Sequence, residues 1–347
     1  MTMQTELDIE QPGVLVNYLQ NTRRIGRNEE PEVTILSGGV SNRTVLVKRA
    51  SGEDWVIKQA LAKLRVAADW YSSPERIHRE AQGLRWLERL APAGTITPFV
   101  FEDNERHILA MQAVPQPHEN WKTLLLAGLI ETEQVQQFGR LLGSVHRQSS
   151  ERRSEIEPVF GDTSFFESLR LEPYYRYTAS QVPESATFFG ELISETQAQH
   201  LALVHGDYSP KNVLVYQRRL VLLDHEVIHF GDPAFDLGFS LAHFLSKAHH
   251  LPDRRLRFAE GARLYWESYR QETGSVSWMP GIEGRAVRHT LGCLLARVSG
   301  RSTLEYLTPS ERSKQRQVVL ELMGQAPSSI PTLIDLFSER IDDDERN

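Results

Sequence analysis

Apolar and polar positions along this chain repeat with two different periods. Between Pro31 and Lys58 the apolar residues fall in short runs, Val33 and Ile35, then Val45–Val47, then Trp55–Ile57, separated by turn residues, which predicts strands. Phe99–Val114 continues the pattern as two strands around a turn at Glu102–Glu105, and Pro115 and Pro117 end the second. Elsewhere the spacing is helical. Val14–Thr22 predicts a short leading helix, and Pro74–Leu90 a longer one with Ser73 as cap, Pro74 in the first turn and Ile77, Leu84, Leu87 and Leu90 along one side. Helices are also predicted at 121–130, 133–149, 235–248, 252–272, 283–298 and 309–324, the last capped by Ser310. A β-rich first third followed by a helical remainder predicts an α+β chain.

One stretch interrupts the helical part. Leu203–Gly238 reads LVHGDYSPKNVLVYQRRLVLLDHEVIHFGDPAFDLG. Three apolar runs, Leu201–Val204, Val213–Tyr216 and Leu220–Leu223, read as strand, loop, strand, turn, strand. The loop holds Asp207 and, five residues on, Asn212; the third run ends on Asp224, with Glu226 just beyond. A carboxylate base with an amide and a carboxylate that can hold a metal is the set that phosphoryl transfer from ATP needs, because that reaction asks a protein mainly for positioning and charge neutralisation. The plain alternative is a hairpin whose acids cap turns.

The order of His205, Asp207, Asn212 and Asp224, in the form HGDxxxxN, then DxE, then GDPAxD, resembles the aminoglycoside phosphotransferase and choline kinase superfamily. Protein kinases proper would show HRD and DFG, where this chain has HGD and DHE. The resemblance implies a bilobal protein-kinase-like fold, with a small antiparallel N-terminal lobe carrying one key helix (1–113) and a larger, mostly helical C-terminal lobe (114–347). It implies ATP and Mg²⁺ as nucleotide and cofactor. In the first lobe, Gly38, Gly39, Ser41 and Asn42 lie in the phosphate-covering loop. Lys58 contacts the phosphates and pairs with Glu80 (Glu75 being the second choice), and Met111 and Ala113 belong to the hinge that holds adenine. In the second lobe, Asp207 is the catalytic base, Asn212, Asp224 and Glu226 are metal ligands, and Asp236 supports the loop. Arg288 is a candidate for steadying the transferred phosphoryl group, its plain alternative being a surface helix residue. His146 reads as a packed structural histidine. The aromatic segment Ser164–Tyr177 either lines a pocket or packs the lobe.

Along most of its length the chain is also similar to 5-methylthioribose kinase, through VIKQALAKLRVAADWYSSPERIHRE, TLLLAGLIE and AVRHTLGCLLARVSG. It departs from that family at Asn212, at Asp224-His-Glu226 where a DPE is usual, and at Arg288-His289 where an Arg pair is usual. The expected activity is therefore phosphorylation of a hydroxyl on a small sugar or amino-alcohol-like metabolite, a methylthioribose-like sugar coming first. An aminoglycoside or a choline- or homoserine-type acceptor is the alternative. A nucleotide-binding protein without catalysis is the reading from another class, and a protein kinase a third.

Bulk properties narrow the classes further. With 39 Lys and Arg against 46 Asp and Glu, the net charge is −7, which offers no global field for nucleic acid. No apolar run reaches the length of a membrane span, the first residues lack a signal-peptide pattern, and one cysteine, Cys293, leaves no internal disulfide; a cytoplasmic location is expected, with Cys293 packed in the core. The polar start, 1–10, and the acidic tail IDDDERN are expected to be frayed.

Overall fold

The computed structural model describes residues 7–36, 39, 41–50, 52–65 and 70–342. The chain separates into two compact units, Met1–Arg89 with Ile96–Pro117, and Leu90–Thr95 with His118–Asn347.

The first unit is built on a five-stranded antiparallel sheet of order β1-β2-β3-β5-β4, with β1 Glu32–Ile35, β2 Asn42–Lys48, β3 Trp55–Ala60, β4 Phe99–Asp103 and β5 Ile108–Gln112. Alternation along the strands sends Val45, Val47, Trp55 and Ile57 inward, where they pack with Leu15, Tyr18 and Leu19 of helix α1 (Pro12–Asn21). Since Ile57 is buried on that face, its neighbour Lys58 stands on the other. Helix α2 spans Arg76–Leu90, beginning two residues later than expected, and Ser73 accepts a bond from Glu75 N–H in the turn that leads into it. Ile77, Ala81, Leu84 and Leu87 form its buried stripe.

The second unit is mostly helical. Its helices are α3 Trp121–Leu126, α4 Thr132–Glu151, α5 Arg153–Phe160, α6 Ser164–Phe166, α7 Tyr177–Gln181, α8 Ala186–Gln197, α9 Ala234–His250, α10 Arg255–Thr273, α11 Ile282–Ser299, α12 Pro309–Gly324 and α13 Ile330–Asp342. Between α6 and α7 the chain winds as a π-helix over Glu167–Arg176. Close approach of α4 to α10 rests on Gly139 and Gly143: a Cβ on Gly139 would lie 2.5 Å from the Tyr265 carbonyl oxygen, and one on Gly143 2.9 Å from Glu272 Cβ. Cys293 is buried, as its apolar surroundings predict.

The strands of the catalytic stretch divide between two small sheets. β7 (Ala202–Val204) pairs with β10 (His229–Gly231), while β8 (Val213–Tyr216) and β9 (Arg219–Leu222) join β6 (His118–Asn120). The β8–β9 connection is a two-residue turn with positive φ at Gln217 and Arg218, the twist that suits an antiparallel hairpin. Some elements depart from expectation. Helix α12 is capped by Thr308 in a capping box with Glu311, not by Ser310, because Pro309 takes the first helical position and puts the cap two residues before Ser310. Helix α13 carries regular structure through Ile341 and Asp342, where a frayed tail was expected; Ile330, Leu333, Ile334, Phe337 and Ile341 bury its apolar stripe. Residues 1–6 and 343–347 lie outside the described residues. Among the described residues no helix is long and apolar enough to cross a membrane.

Candidate active site

In the first unit β3 presents Lys58 and α2 presents Glu80. Lys58 Nζ lies 2.7 Å from Glu80 Oε1, and the Glu80 side chain is fully buried. Glu75 is exposed on the surface near His78 and His107, so Glu80 is the carboxylate that meets the strand lysine. Ser41 and Asn42 are buried, with the Asn42 amide donating to Ser41 Oγ at 3.1 Å. Arg76, wholly buried, donates to the carbonyls of Ser72 and Ser73, to Leu61 at 2.8 Å and to Ser41, tying the root of the glycine loop to the start of α2. Gly39 is exposed; Gly38 lies outside the described residues. Met111 is buried in β5 opposite Val56, and Ala113 N–H donates to Asp54 O at 2.8 Å. The Ala113 N–H is thus used within the sheet.

In the second unit the loop after β7 is positioned by one carboxylate. Asp236, in the first turn of α9, accepts from His205 N–H (2.7 Å) and Gly206 N–H (2.8 Å), and lies 3.3 Å from His146 Nε2. His146 is fully buried, with Tyr269 Oη 3.0 Å from its other nitrogen, so it is the packed histidine that was expected. Gly206 has φ +76°, and a Cβ there would lie 3.1 Å from the Val227 carbonyl oxygen, so this position needs glycine. His205 Nδ1 accepts from Asp207 N–H at 3.2 Å, which leaves the other ring nitrogen to donate towards Leu223 O at 3.2 Å; burial holds the imidazole below its ordinary pKa and neutral. Tyr208 donates to Phe138 O and its carbonyl accepts from Ser240, fastening the loop to α4 and α9.

Asp207 is 2% exposed. Its Oδ2 lies 3.0 Å from Arg170 Nη2 and 3.1 Å from Lys211 Nζ, and its Oδ1 has no hydrogen-bond partner among the described residues. Burial acts to raise its pKa, but Arg170 and Lys211 outweigh it and hold the carboxyl below the usual range. Arg170 also donates to Gly206 O at 2.5 Å and to Leu169 O at 2.7 Å. The Asn212 amide donates to Asp207 O at 3.0 Å, which fixes the orientation of its side chain and directs its oxygen away from that bond. Asp224 follows β9 with φ +68°, a strained conformation for a non-glycine residue of the kind found at working sites. Glu226 is buried. Asp224 and Glu226 both act to raise the pKa of Arg170, so the three belong to one charge network. An all-oxygen set of Asn212 and Asp224 suits a hard divalent cation.

Two cations of this cluster escape sequence reading. Arg170 sits in the aromatic segment SFFESLRLEPYYRY, where its only signal is a charge amid apolar residues. Lys211 stands four residues after Asp207, a spacing that could have flagged it. Arg288, conversely, is not brought to this loop: its guanidinium meets Glu195 at 2.7 Å and Glu191 at 3.3 Å on α8. On the same helix Arg285 holds Asp232 of the GDPA turn at 2.9 and 3.2 Å, and His289 is buried between Tyr175 and Thr196.

The methylthioribose kinase of Pectobacterium carotovorum subsp. carotovorum is 22% identical over 290 residues, 72% of this chain and 72% of that protein. The solved choline kinase of Cryptosporidium parvum superposes with a TM-score of 0.56 at 14% identity, covering 94% of this chain and all of that one. The amicoumacin kinase hAmiN, solved with AMP-PNP and Ca²⁺, gives 0.55 at 14% identity, covering 88% and 91%. These likenesses carry the protein-kinase-like fold. The model of the phosphotransferase enzyme family matches residues 32–272, well over half of the chain. The protein belongs to the phosphotransferase enzyme family and is an ATP-dependent phosphotransferase that acts on a hydroxyl group.

Proposed function

We propose that this phosphotransferase moves the γ-phosphoryl group of ATP to a hydroxyl of a small sugar or amino-alcohol-like metabolite, a sugar coming first because the curated relatives are methylthioribose kinases. The observation that carries the reading is Asp207, a buried carboxylate with one oxygen clamped by two cations and the other unpartnered among the described residues. In the proposed step the bond between the γ-phosphorus and the ADP oxygen breaks, and one forms to the acceptor oxygen. The hydroxyl proton passes to Asp207 Oδ1, which is ionised at neutral pH because Arg170 and Lys211 hold its pKa down. Lys58, oriented by Glu80, holds nucleotide phosphate. Asn212 and Asp224 would hold a divalent cation, Mg²⁺ in this reading, with Glu226 a further candidate ligand. When bound, that cation neutralises charge on the phosphates. Asp236 keeps the loop in register by occupying its backbone N–H groups.

The test is ADP release with Mg·ATP across 5-methylthioribose, other sugars, choline, homoserine and aminoglycosides, with Asp207→Asn as the blank. Acceptor-dependent release by the natural chain, absent from the variant, is expected with a sugar. Release that persists in Asp207→Asn overturns the base assignment, and bound nucleotide without release for any acceptor overturns the transfer.

A further inference from the structure

A second group of cations lies in the same unit and is not used by the step above. Arg297 of α11 is 5% exposed. Its Nη1 donates to Ser302 O and Oγ at 2.9 Å, its Nη2 lies 3.2 Å from His243 Nε2, and its Nε has no partner among the described residues. Lys247, one turn beyond His243 on α9, has no exposed surface; its ammonium makes a long 3.4 Å contact with His243 O and sits 5.5 Å from the Tyr306 ring centre. Tyr306 Oη is itself buried and unpartnered among the described residues. The nearby carboxylate, Glu305, is taken by Lys122.

Among the described residues neither cation is in ion-pair contact with a carboxylate; a buried cation so placed is costly, and a chain keeps one where something other than stability selects it. Burial, with Lys122 and Arg297 alongside, brings the Lys247 pKa down to about 7, and burial, with Arg297 and Lys247 alongside, holds the His243 imidazole well below its ordinary value. The cluster reaches the catalytic carboxylate through shared walls. Arg297 stands over the Tyr174 and Phe239 rings at 5.0 and 5.2 Å, and Arg170, which clamps Asp207, stands over the same rings at 5.8 and 5.9 Å.

We propose that the acceptor carries a carboxylate or phosphate in addition to its reacting hydroxyl, and that Arg297 and Lys247 bind that anionic group. This rests on the kinase reading and narrows its acceptor to an anionic one such as a sugar acid or sugar phosphate, away from neutral 5-methylthioribose as well as cationic amino alcohols and aminoglycosides. Arg297 suits the role because its guanidinium is already fixed by Ser302 and stacked on aromatic faces, so little ordering remains for a ligand to impose.

The experiment is calorimetric titration of the full chain with Mg·AMP-PNP present, so that the nucleotide's phosphate site is filled. The ligands are matched pairs, D-glycerate against glycerol and D-ribose 5-phosphate against D-ribose, with choline as the cationic member. At least one anionic compound is expected to bind tenfold or more tightly than its neutral mate, and which pair shows it separates carboxylate from phosphate. Arg297→Met is expected to remove the preference while AMP-PNP affinity stays within twofold. Lys247→Met is expected to weaken the same ligand and raise Tm, which a merely structural lysine would not do; with Arg297→Lys it carries the comparison if Arg297→Met does not fold. Neutral mates or choline binding as tightly as both anions, or a preference that survives in these variants, overturns the proposal. Failure of the natural chain to bind Mg·AMP-PNP strikes the kinase reading itself, whereas bound nucleotide without anion preference strikes only this one.

Discussion

Asp207 and Asp236 are both buried, both lie in the second unit, and both touch the loop His205–Asp207, yet they are arranged for opposite ends. Asp236 spends its oxygens on two backbone N–H groups and a buried histidine. Asp207 has both cations on one oxygen and, among the described residues, no partner on the other. A saturated carboxylate is scaffold, because any proton it took would break a bond already made. A half-saturated carboxylate keeps an acceptor in reserve at the cost of an unmet bond. The difference lies in hydrogen-bond occupancy, since burial and residue type are the same.

The sharpest break of this pairing is Asp207→Asn. Turnover is expected to fall by about 10²–10⁴, the range of a lost general base, while nucleotide binding by calorimetry is retained. Asp236→Ala should separate from it in kind. It leaves two buried N–H groups unmet, each worth about 1–3 kcal/mol, so thermal unfolding is expected to move down by several degrees, with activity lost through the loop. A variant with unchanged Tm would remove Asp236 from the scaffold. Arg170→Met probes the clamp on Asp207. With Arg170 in place the carboxyl titrates below the usual range, so the acid limb of kcat/KM lies low; without it the limb is expected to shift to higher pH, with a smaller loss of kcat than in Asp207→Asn. The stability that ionised Asp207 contributes is present above the free-carboxylate pKa and is lost as pH falls through its lowered folded value, so Arg170→Met also flattens that acid loss. Least should come from Arg288→Ala, whose partners are partly exposed glutamates on α8: about 0.5 kcal/mol or less in stability and under about twofold in turnover. A large loss of turnover there would return Arg288 to the catalytic set.

Much of this was legible before any coordinates, for a local reason. His205, Asp207, Asn212 and Asp224 lie within twenty residues, and their spacing carries the chemistry whatever surrounds them. Glu80 and Asp236 were legible through the resemblance, which puts one carboxylate on the helix after the strand lysine and another just after the GDPA turn. Period alone separated the sheet of the first unit from the helices of the second, since strand and helix patterns differ in repeat.

What sequence could not show depends on partners far along the chain. Arg170 is 37 residues from Asp207, and nothing local distinguishes it from Arg176, which ends on the surface with Glu167. Arg288 and Arg285 are one helical turn apart, and only the packing of α11 decides that the first meets α8 while the second holds Asp232. Whether Lys247 and Arg297 are solvated or buried near each other is likewise a matter of how α9 and α11 face, reported by His243, which both approach, and not by either segment alone. Residue type and short spacing determine which groups are available for chemistry; pKa, burial and the choice of counter-ion are set by through-space electrostatics, which fall off over a few ångströms and take no account of sequence distance.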